Sequence, residues 1–343
     1  MTSHEMITLN RVADHAGVSV STVSRVLAGK ARSYRITKET EEAVRKAAEE
    51  LHYVPNFIAM SLRLRRTNTI GLIIPDISNQ FFASIARSIE IESRKLKYSL
   101  ILCDSQENTE LEIESIAILV KRKVDGLLIC PVGIEYNHIK KISEKQIPVV
   151  IIDRYMADLD FPSVVSDNYR GALEAINYLV GNGHRQIAFI QGLAGTTVNN
   201  DRVKGYCDAL QNHNIPINAN YIVGDSFGID NGYISTKLLL SMSDRPTAIF
   251  SVSNLVSLGV LRALQEENLK VPDDISIISF DDQVYSDFLA TPITTIKQPQ
   301  TEMGRIACKL LINQIEFDSQ YPNKTIVLPN KLIIRRSVKK IAI

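Results

Sequence analysis

From Thr69 onward, short runs rich in Ile, Leu and Val alternate with longer segments whose apolar positions recur at helical spacing. The runs TIGLIIP, YSLILC, VDGLLIC and PVVIID are rich in Ile, Leu and Val without strict alternation, which predicts strands buried on both faces, with helices near 80–97, 108–122 and 137–145 between them. The same alternation resumes at QIAFIQG, NYIVGD, TAIFSV and DISIISFDD. Strands alternating with helices predict parallel sheets covered on both sides. Two such groups, either side of about Pro162, predict two similar α/β subdomains. The late strand TTIKQP and a helix over 300–316 are expected to carry the chain back to the first of them.

Ahead of this body the pattern is helical only. Residues 9–15, 20–27 and 37–52 each place apolar side chains at helical spacing, and TKETEEAV offers Thr37 as an N-cap followed by acidic residues suited to a helix start. With Ser19 as a second N-cap, Val23, Val26 and Leu27 form one stripe that packs on Val12, Ala13 and Ala16. Gly17 supplies the turn of a helix-turn-helix. Val20, Ser21, Ser24 and Arg25 occupy the opposite face, where a helix entering the major groove presents its first two turns to base edges. Arg25 suits guanine, Ser21 several bases, and Val20 a thymine methyl. The alternative is an ordinary helical hairpin with a solvated face. In VPNFIAMSLRLRRTNT, which follows, Pro55 ends the preceding helix and Asn56 is placed to cap a new one.

Charge sharpens this division. Residues 1–66 carry 11 Lys or Arg against 7 Asp or Glu, a balance of +4, while the remainder carries 28 against 31, a balance of −3. A basic head on a near-neutral body suits nucleic acid. The start MTSHEMITLN lacks a signal-peptide pattern, and no apolar run reaches the roughly 20 residues of a membrane span, so a cytoplasmic protein without membrane attachment is expected. Four scattered cysteines without C-x-x-C and six histidines without H-x-x-x-H signal neither a disulfide framework nor a zinc site, and no cofactor is called for.

The run TLNRVADHAGVSVSTVSRVLAGK, followed by EEAVRKAAEELHYVPNFIAMSLR, resembles the DNA-binding head and hinge of the lactose-repressor (LacI/GalR) family. The resemblance extends to near Arg336 through IGLIIPDISNQFFASIARSIE, VDGLLICPVG, VVIIDR, DNYRGALEAINYLVGNGHRQIAFIQG, PDDISIISFDD and TPITTIKQPQTEMGRIA. Departures are Arg11 for the usual aspartate, Ala28 for a common asparagine, and Gln80 for proline. The resemblance implies an all-α helix-turn-helix head over 1–54 and a hinge over 55–67. It implies a periplasmic-binding-protein-like α/β body of two doubly wound parallel-sheet subdomains, 68–163 with 295–327 and 164–294 with 328–339. It further implies a homodimer on palindromic operator DNA, most simply as a repressor of carbohydrate-utilisation genes. The DNA-binding set becomes Val20, Ser21, Thr22, Ser24 and Arg25 with the hinge residues Ala59, Leu62 and Arg63. Leu62 matches the leucine that the family wedges into the central base step, against the alternative that it packs on the body.

In parallel α/β sheets, ligands bind beyond the carboxyl ends of the strands. Asn79, Phe81 and Phe82 follow the first strand, Asp153 and Arg154 the fourth, Asp281 follows ISIISF, Arg202 lies in NNDRVKGY, and Gln298 follows the crossover strand. With Ser253, which stands where relatives commonly carry asparagine, these resemble the family's sugar contacts. Aromatic faces suit ring C–H surfaces while Asp, Asn and Arg satisfy hydroxyls, so the expected effector is a neutral mono- or disaccharide, a polyol or a sugar acid. A nucleobase is the competitor, and a sugar phosphate stays open because Arg202 and the GLAGTT loop offer groups for a phosphate. Phe81 and Phe82 have core positions as their alternative, and Arg154 with Asp281 a structural ion pair. An enzyme is disfavoured: no G-x-G-x-x-G follows the first strand, and Asp281 and Asp282 have no histidine or metal cluster beside them. A periplasmic sugar receptor would share the body without the basic head.

Overall fold

The computed structural model describes residues 7–53, 66–143, 146–156, 161–317 and 324–341, and the chain divides into two compact units, Met1–Thr67 and Asn68–Ile343. The first holds α1 (Leu9–Ala16), α2 (Val20–Leu27) and α3 (Lys38–Glu50). Gly17 takes φ 65° and turns the chain out of α1, while Ser19 caps α2 by accepting from the Thr22 amide at 3.2 Å. Thr37 does the same for α3 through Thr40 at 3.2 Å. Val12, Val23, Val26 and Val44 are fully buried, and Ala13 and Ala47 let the three helices approach closely around them. The hinge residues Ala59, Leu62 and Arg63 lie outside the described residues.

The second unit is two lobes, each a six-stranded sheet. The first lobe is built from β1 (Thr69–Ile74), α4 (Gln80–Lys95), β2 (Ser99–Asp104), α5 (Thr109–Lys121), β3 (Gly126–Ile129), α6 (Asn137–Ser143), β4 (Val149–Ile152) and β5 (Ser163–Ser166). The second contains α7 (Asn168–Gly181), β6 (Ile187–Ile190), α8 (Thr197–Asn212), β7 (Ile222–Val223), α9 (Ile229–Ser241), β8 (Ala248–Ser251), α10 (Asn254–Glu266), β9 (Ser276–Phe280) and β10 (Thr294–Lys297). Then α11 (Gln300–Phe317) and β11 (Thr325–Leu328) return to the first lobe, and β12 (Lys331–Ile333) closes the second. The strand orders β11-β5-β4-β3-β1-β2 and β12-β10-β9-β8-β6-β7 repeat one winding. Pairing is parallel except that β12 runs antiparallel to β10.

Pairing corrects two boundaries. β5 extends the first sheet beside β4, so the chain crosses after Ser166 rather than at 163. β10 pairs with β9, so TTIK belongs to the second sheet, and the return to the first lobe begins with α11, packed on β3, β4 and α4. The crossing segments are tied to one another: Ser166 Oγ donates to Gln298 Oε1, and Asn330 Nδ2 donates to the Asp167 carbonyl at 2.9 Å. Asn220 and Tyr221, the first two residues of the expected strand NYIVGD, lie in a 3-10 turn over Ala219–Tyr221 capped by Asn218, which leaves only Ile222 and Val223 in β7. Among the described residues no helix is long and apolar enough to cross a membrane.

Candidate DNA-reading helix and ligand cavity

On α2 the buried and exposed faces separate as the spacing predicts. Val20 (40 % exposed), Ser21 and Arg25 are exposed, while Thr22 and Ser24 are half-buried. The Ser19 hydroxyl bonds those of Ser21 at 2.8 Å and Thr22 at 2.9 Å, so the cap that starts the helix also fixes two of its first-turn side chains. The Arg25 guanidinium lies 4.2 Å from the centre of the Tyr34 ring, on a 3-10 turn over Arg32–Tyr34. Tyr34, half exposed, was not foreseen; its only sequence signal is an aromatic residue within the basic run KARSYR.

In the second unit, Asn79, Phe81, Phe82, Asp153, Arg154, Arg202, Ser253, Asp281 and Gln298 all line one cavity of about 390 Å³ between the lobes. Its walls follow from the repeated winding. Asp153 comes directly after β4 and Asp281 directly after β9, the corresponding strand of the second sheet. Their amides donate to Val164 and Ile296 of the next strands, both at 2.9 Å, and both take left-handed φ, 68° and 71°. Aspartate is among the few side chains that enter this region readily. Two equivalent strand ends thus carry two buried carboxyls into the same space.

Phe81 and Phe82 meet edge to face at 5.0 Å between ring centres, each 4 % exposed. They belong to the first lobe's core and also line the cavity, so the two alternatives for them hold together. Asn79 caps α4 by accepting from the Phe81 amide at 3.1 Å, and the same oxygen accepts from Asn254 Nδ2 at 3.1 Å. That bond joins the lobes, as does Thr197 Oγ1 donating to the Tyr155 carbonyl at 2.8 Å. Ser253 caps α10 through the Val256 amide and donates to the Phe227 carbonyl, both at 3.4 Å. α9 and α10 bring these segments together at Gly232, where an added Cβ would lie 2.0 Å from the Val256 carbonyl oxygen.

The supposed ion pair of Arg154 with Asp281 does not form. Arg154 donates through both terminal nitrogens to Glu107 at 2.6 Å each, because the loop after β2 brings that carboxylate closer than the opposite lobe does. Asp281 instead accepts from Gln298 Nε2 and from the Asn254 amide. Arg202 gives Nε and Nη2 to Asn168 Oδ1 at 2.9 and 2.7 Å and Nη1 to the Val252 carbonyl at 2.5 Å, with its plane 3.6 Å from the Phe280 ring centre. Burial lowers the Arg202 pKa to about 10 against the pull of Asp281 and Asp153. Burial opposes the charge on Arg154 too, but Glu107 and Asp153 hold its pKa above the ordinary value.

Asp153 is 3 % exposed, and its Oδ1 has no hydrogen-bond partner. Burial pushes its pKa up to about 6, with Arg154 and Arg202 pulling down and Asp281 and Glu107 pushing up. Burial raises Asp281 as well, against Arg202, Gln298 and Asn254. Sequence reading missed Glu107, Asp76, Asp225, Phe227 and Asn254. The Phe227 ring lies 5.0 Å from the Arg154 guanidinium, in the loop after β7, where the strand-end rule would have nominated it.

Comparison with known proteins accords with both units. Residues 8–56 match the family model described as bacterial regulatory proteins, lacI family, and residues 176–338 match that of a periplasmic binding protein-like domain. The chain is 33% identical over 334 residues to catabolite control protein A of Priestia megaterium, covering 97% of this chain and 99% of that one. It is 35% identical over 334 residues to the ribose operon repressor of Halalkalibacterium halodurans, covering 97% and 98%. Among solved structures, the lac repressor dimer bound to operator and the anti-inducer ONPF superposes with a TM-score of 0.85 at 25% identity, covering 98% of this chain and 100% of that one. A complex of the transcriptional regulator CelR with cellobiose gives a TM-score of 0.73 at 29% identity, covering 96% and 99%. With relatives of this identity spanning nearly the whole chain, and a capped, outward-facing second helix in its head, the protein belongs to the lacI family of bacterial DNA-binding transcriptional regulators.

Proposed function

We propose that the protein is a repressor of carbohydrate-utilisation genes that binds a palindromic operator as a homodimer and is controlled by a small sugar held between its lobes. The observation that carries this reading is the convergence of equivalent strand ends from both lobes on one cavity lined by two buried aspartates, Asp153 and Asp281. A sugar hydroxyl can donate to such a carboxylate, and a ligand touching both lobes stabilises their closed arrangement. The operator complex of the lac repressor and the cellobiose complex of CelR support the two halves of the proposal. In the head, Arg25, Ser21 and Val20 read bases from α2, with Thr22 and Ser24 beside them. In the hinge, Ala59, Leu62 and Arg63 enter the minor groove, where unstacking a base step costs a few kcal/mol that the bent DNA's extra contacts offset. The direct test is a fluorescence-polarisation titration of an operator duplex, obtained by selection from a random pool and repeated with a panel of sugars. Sequence-specific binding that a sugar weakens is the expected result; no preference for any duplex over random DNA would overturn the proposal.

Tyr34→Ala is expected to weaken operator binding by about two- to fivefold, the effect of an exposed cation–π contact of 0.5–1 kcal/mol that pre-positions Arg25. Tyr34→Phe should bind like the parent, and equal loss in both variants would contradict the stacking role.

A pH dependence follows from Asp153. A ligand hydroxyl donating to its carboxylate favours the ionised form, so sugar affinity should fall as pH drops through about 6, by up to tenfold per unit. The empty protein responds in the opposite sense. Because the folded-state pKa is raised, this group's stabilising contribution is fully present below the ordinary 3.8 and is lost as pH rises through about 6. Calorimetric titrations of the sugar between pH 5 and 7.5, with Asp153→Asn as control, check the sign; a parent affinity flat across that range would contradict it.

A further inference from the structure

Asn254, the first residue of α10, is buried and bonds to two walls of the cavity without lining it. Its backbone N–H donates to Asp281 Oδ2 at 3.4 Å. Its side-chain Nδ2 donates across the cleft to Asn79 Oδ1 of the first lobe at 3.1 Å. The other side-chain atom, Oδ1, is buried without a hydrogen-bond partner, so among the described residues the bond to Asn79 is the one that holds this side chain. A buried amide with an unmatched carbonyl is costly. Its own lobe gives the side chain no hydrogen bond to offset that cost, and its aim is set from the opposite lobe.

Chemistry fixes the direction of that bond. The Phe81 backbone N–H can only donate, so the Asn79 atom 3.1 Å from it is the carbonyl oxygen. That oxygen can take only a second donor, which makes the facing atom of Asn254 its NH2 group. On the far side, Asp281 Oδ1 accepts from Gln298 Nε2, and Gln298 Oε1 accepts from Ser166 Oγ. Ser166 and Gln298 lie on two of the segments that cross between the lobes. One run of hydrogen bonds thus leads from the crossing segments, past the Asp281 carboxyl in the cavity wall, to the start of α4, and Asn254 carries it over the cleft.

Resting on the effector-controlled reading above, we propose that Asn254 is a positioning residue of the response: a latch that touches no effector, holds the lobes together through Asn79, and ties their closure to the orientation of Asp281. Separating the lobes breaks the Asn254–Asn79 bond and returns both groups to water. The latch therefore contributes what a net neutral hydrogen bond contributes, about a three- to tenfold shift of the closed population. An effector that meets Asp281 and Asn79 acts on both ends of this link. Because it enters through the open cleft and the latch forms only on closing, losing the latch speeds effector release and does not slow entry.

The first arm of the test needs no effector. The chain contains no tryptophan, and Ile134, exposed on the first lobe, has its Cγ2 3.1 Å from where a Cβ on Gly195 of the second would lie. In full-length protein carrying Ile134→Trp, acrylamide quenching of the single indole reads the separation of the lobes. Adding Asn254→Ala, which keeps the backbone bond to Asp281, should raise the quenching constant by about twofold or more. Adding Asn79→Asp should leave it near that of the starting variant, since a carboxylate oxygen accepts from both Phe81 and Asn254. Asn254→Leu, of matching size, takes the place of Asn254→Ala if the alanine variant loses its folded circular-dichroism spectrum. Quenching unchanged at position 254, or raised equally by Asn79→Asp, would overturn the latch. In the second arm D-ribose, D-glucose and cellobiose are tried by calorimetry and stopped-flow fluorescence. A sugar that binds should leave Asn254→Ala about three- to tenfold faster, with entry no slower; unchanged release would overturn the latch while leaving sugar control intact. If none of the three binds, sugar control loses its support, and the quenching comparison alone decides for or against the latch.

Discussion

Arg202→Ala should destabilise the body by about 3–5 kcal/mol, the effect of breaking a buried charge network by removing one partner. The guanidinium is 2 % exposed and holds Asn168 and the Val252 carbonyl, so truncation leaves both buried acceptors unmatched. It also removes a positive charge that opposes the raised pKa of Asp153 and Asp281. Urea unfolding followed by circular dichroism checks this through a lowered midpoint. A midpoint equal to the parent's would mean that Arg202 is held for the ligand alone. For that reason Arg202→Ala is a poor probe of binding, and Asp281→Asn is a better one. Asparagine tolerates the left-handed φ of 71° and keeps the shape while removing the charge.

Arg25→Ala should weaken specific operator binding by about 1–3 kcal/mol and relax the preference at one base pair in each half-site, as loss of a bidentate arginine–guanine contact does. Lys30, exposed beyond the end of α2, should behave differently if it meets only phosphate: Lys30→Ala weakens all sequences alike and reduces the salt dependence by about one counterion. Titration of selected and scrambled duplexes at several salt concentrations separates these effects. Equal loss on both duplexes for Arg25→Ala would remove Arg25 as a base reader.

The head was legible because its signals are local. The helical spacing of Val12, Val23 and Val26, the caps Ser19 and Thr37 and the turn at Gly17 each act within a few residues. The two-sheet winding was legible from the apolar runs, but membership of a given sheet was not. TTIK looks the same whichever sheet it joins, and only its pairing with β9 decides. NYIVGD failed as a long strand because the Asn218 side chain captures the Asn220 amide and stabilises a turn instead. Cavity residues could be named from strand ends, since the fold brings those ends together whatever the loops do. Their partners could not: Arg154 and Glu107 are 47 residues apart, and nothing in either segment announces the other. The consequence is chemical, because that pairing commits both terminal nitrogens of Arg154 to a carboxylate of its own lobe rather than to Asp281.

The measurement closest to the central claim is the dissociation constant of the full-length protein for its selected operator, taken with and without a sugar that calorimetry shows to bind, in the parent and in Asp281→Asn. The account predicts that the sugar changes the parent's operator Kd by at least tenfold, and that Asp281→Asn keeps operator affinity while losing most of the response. A bound sugar that leaves the parent's operator Kd unmoved, or an undiminished response in a variant that no longer binds the sugar, would contradict it.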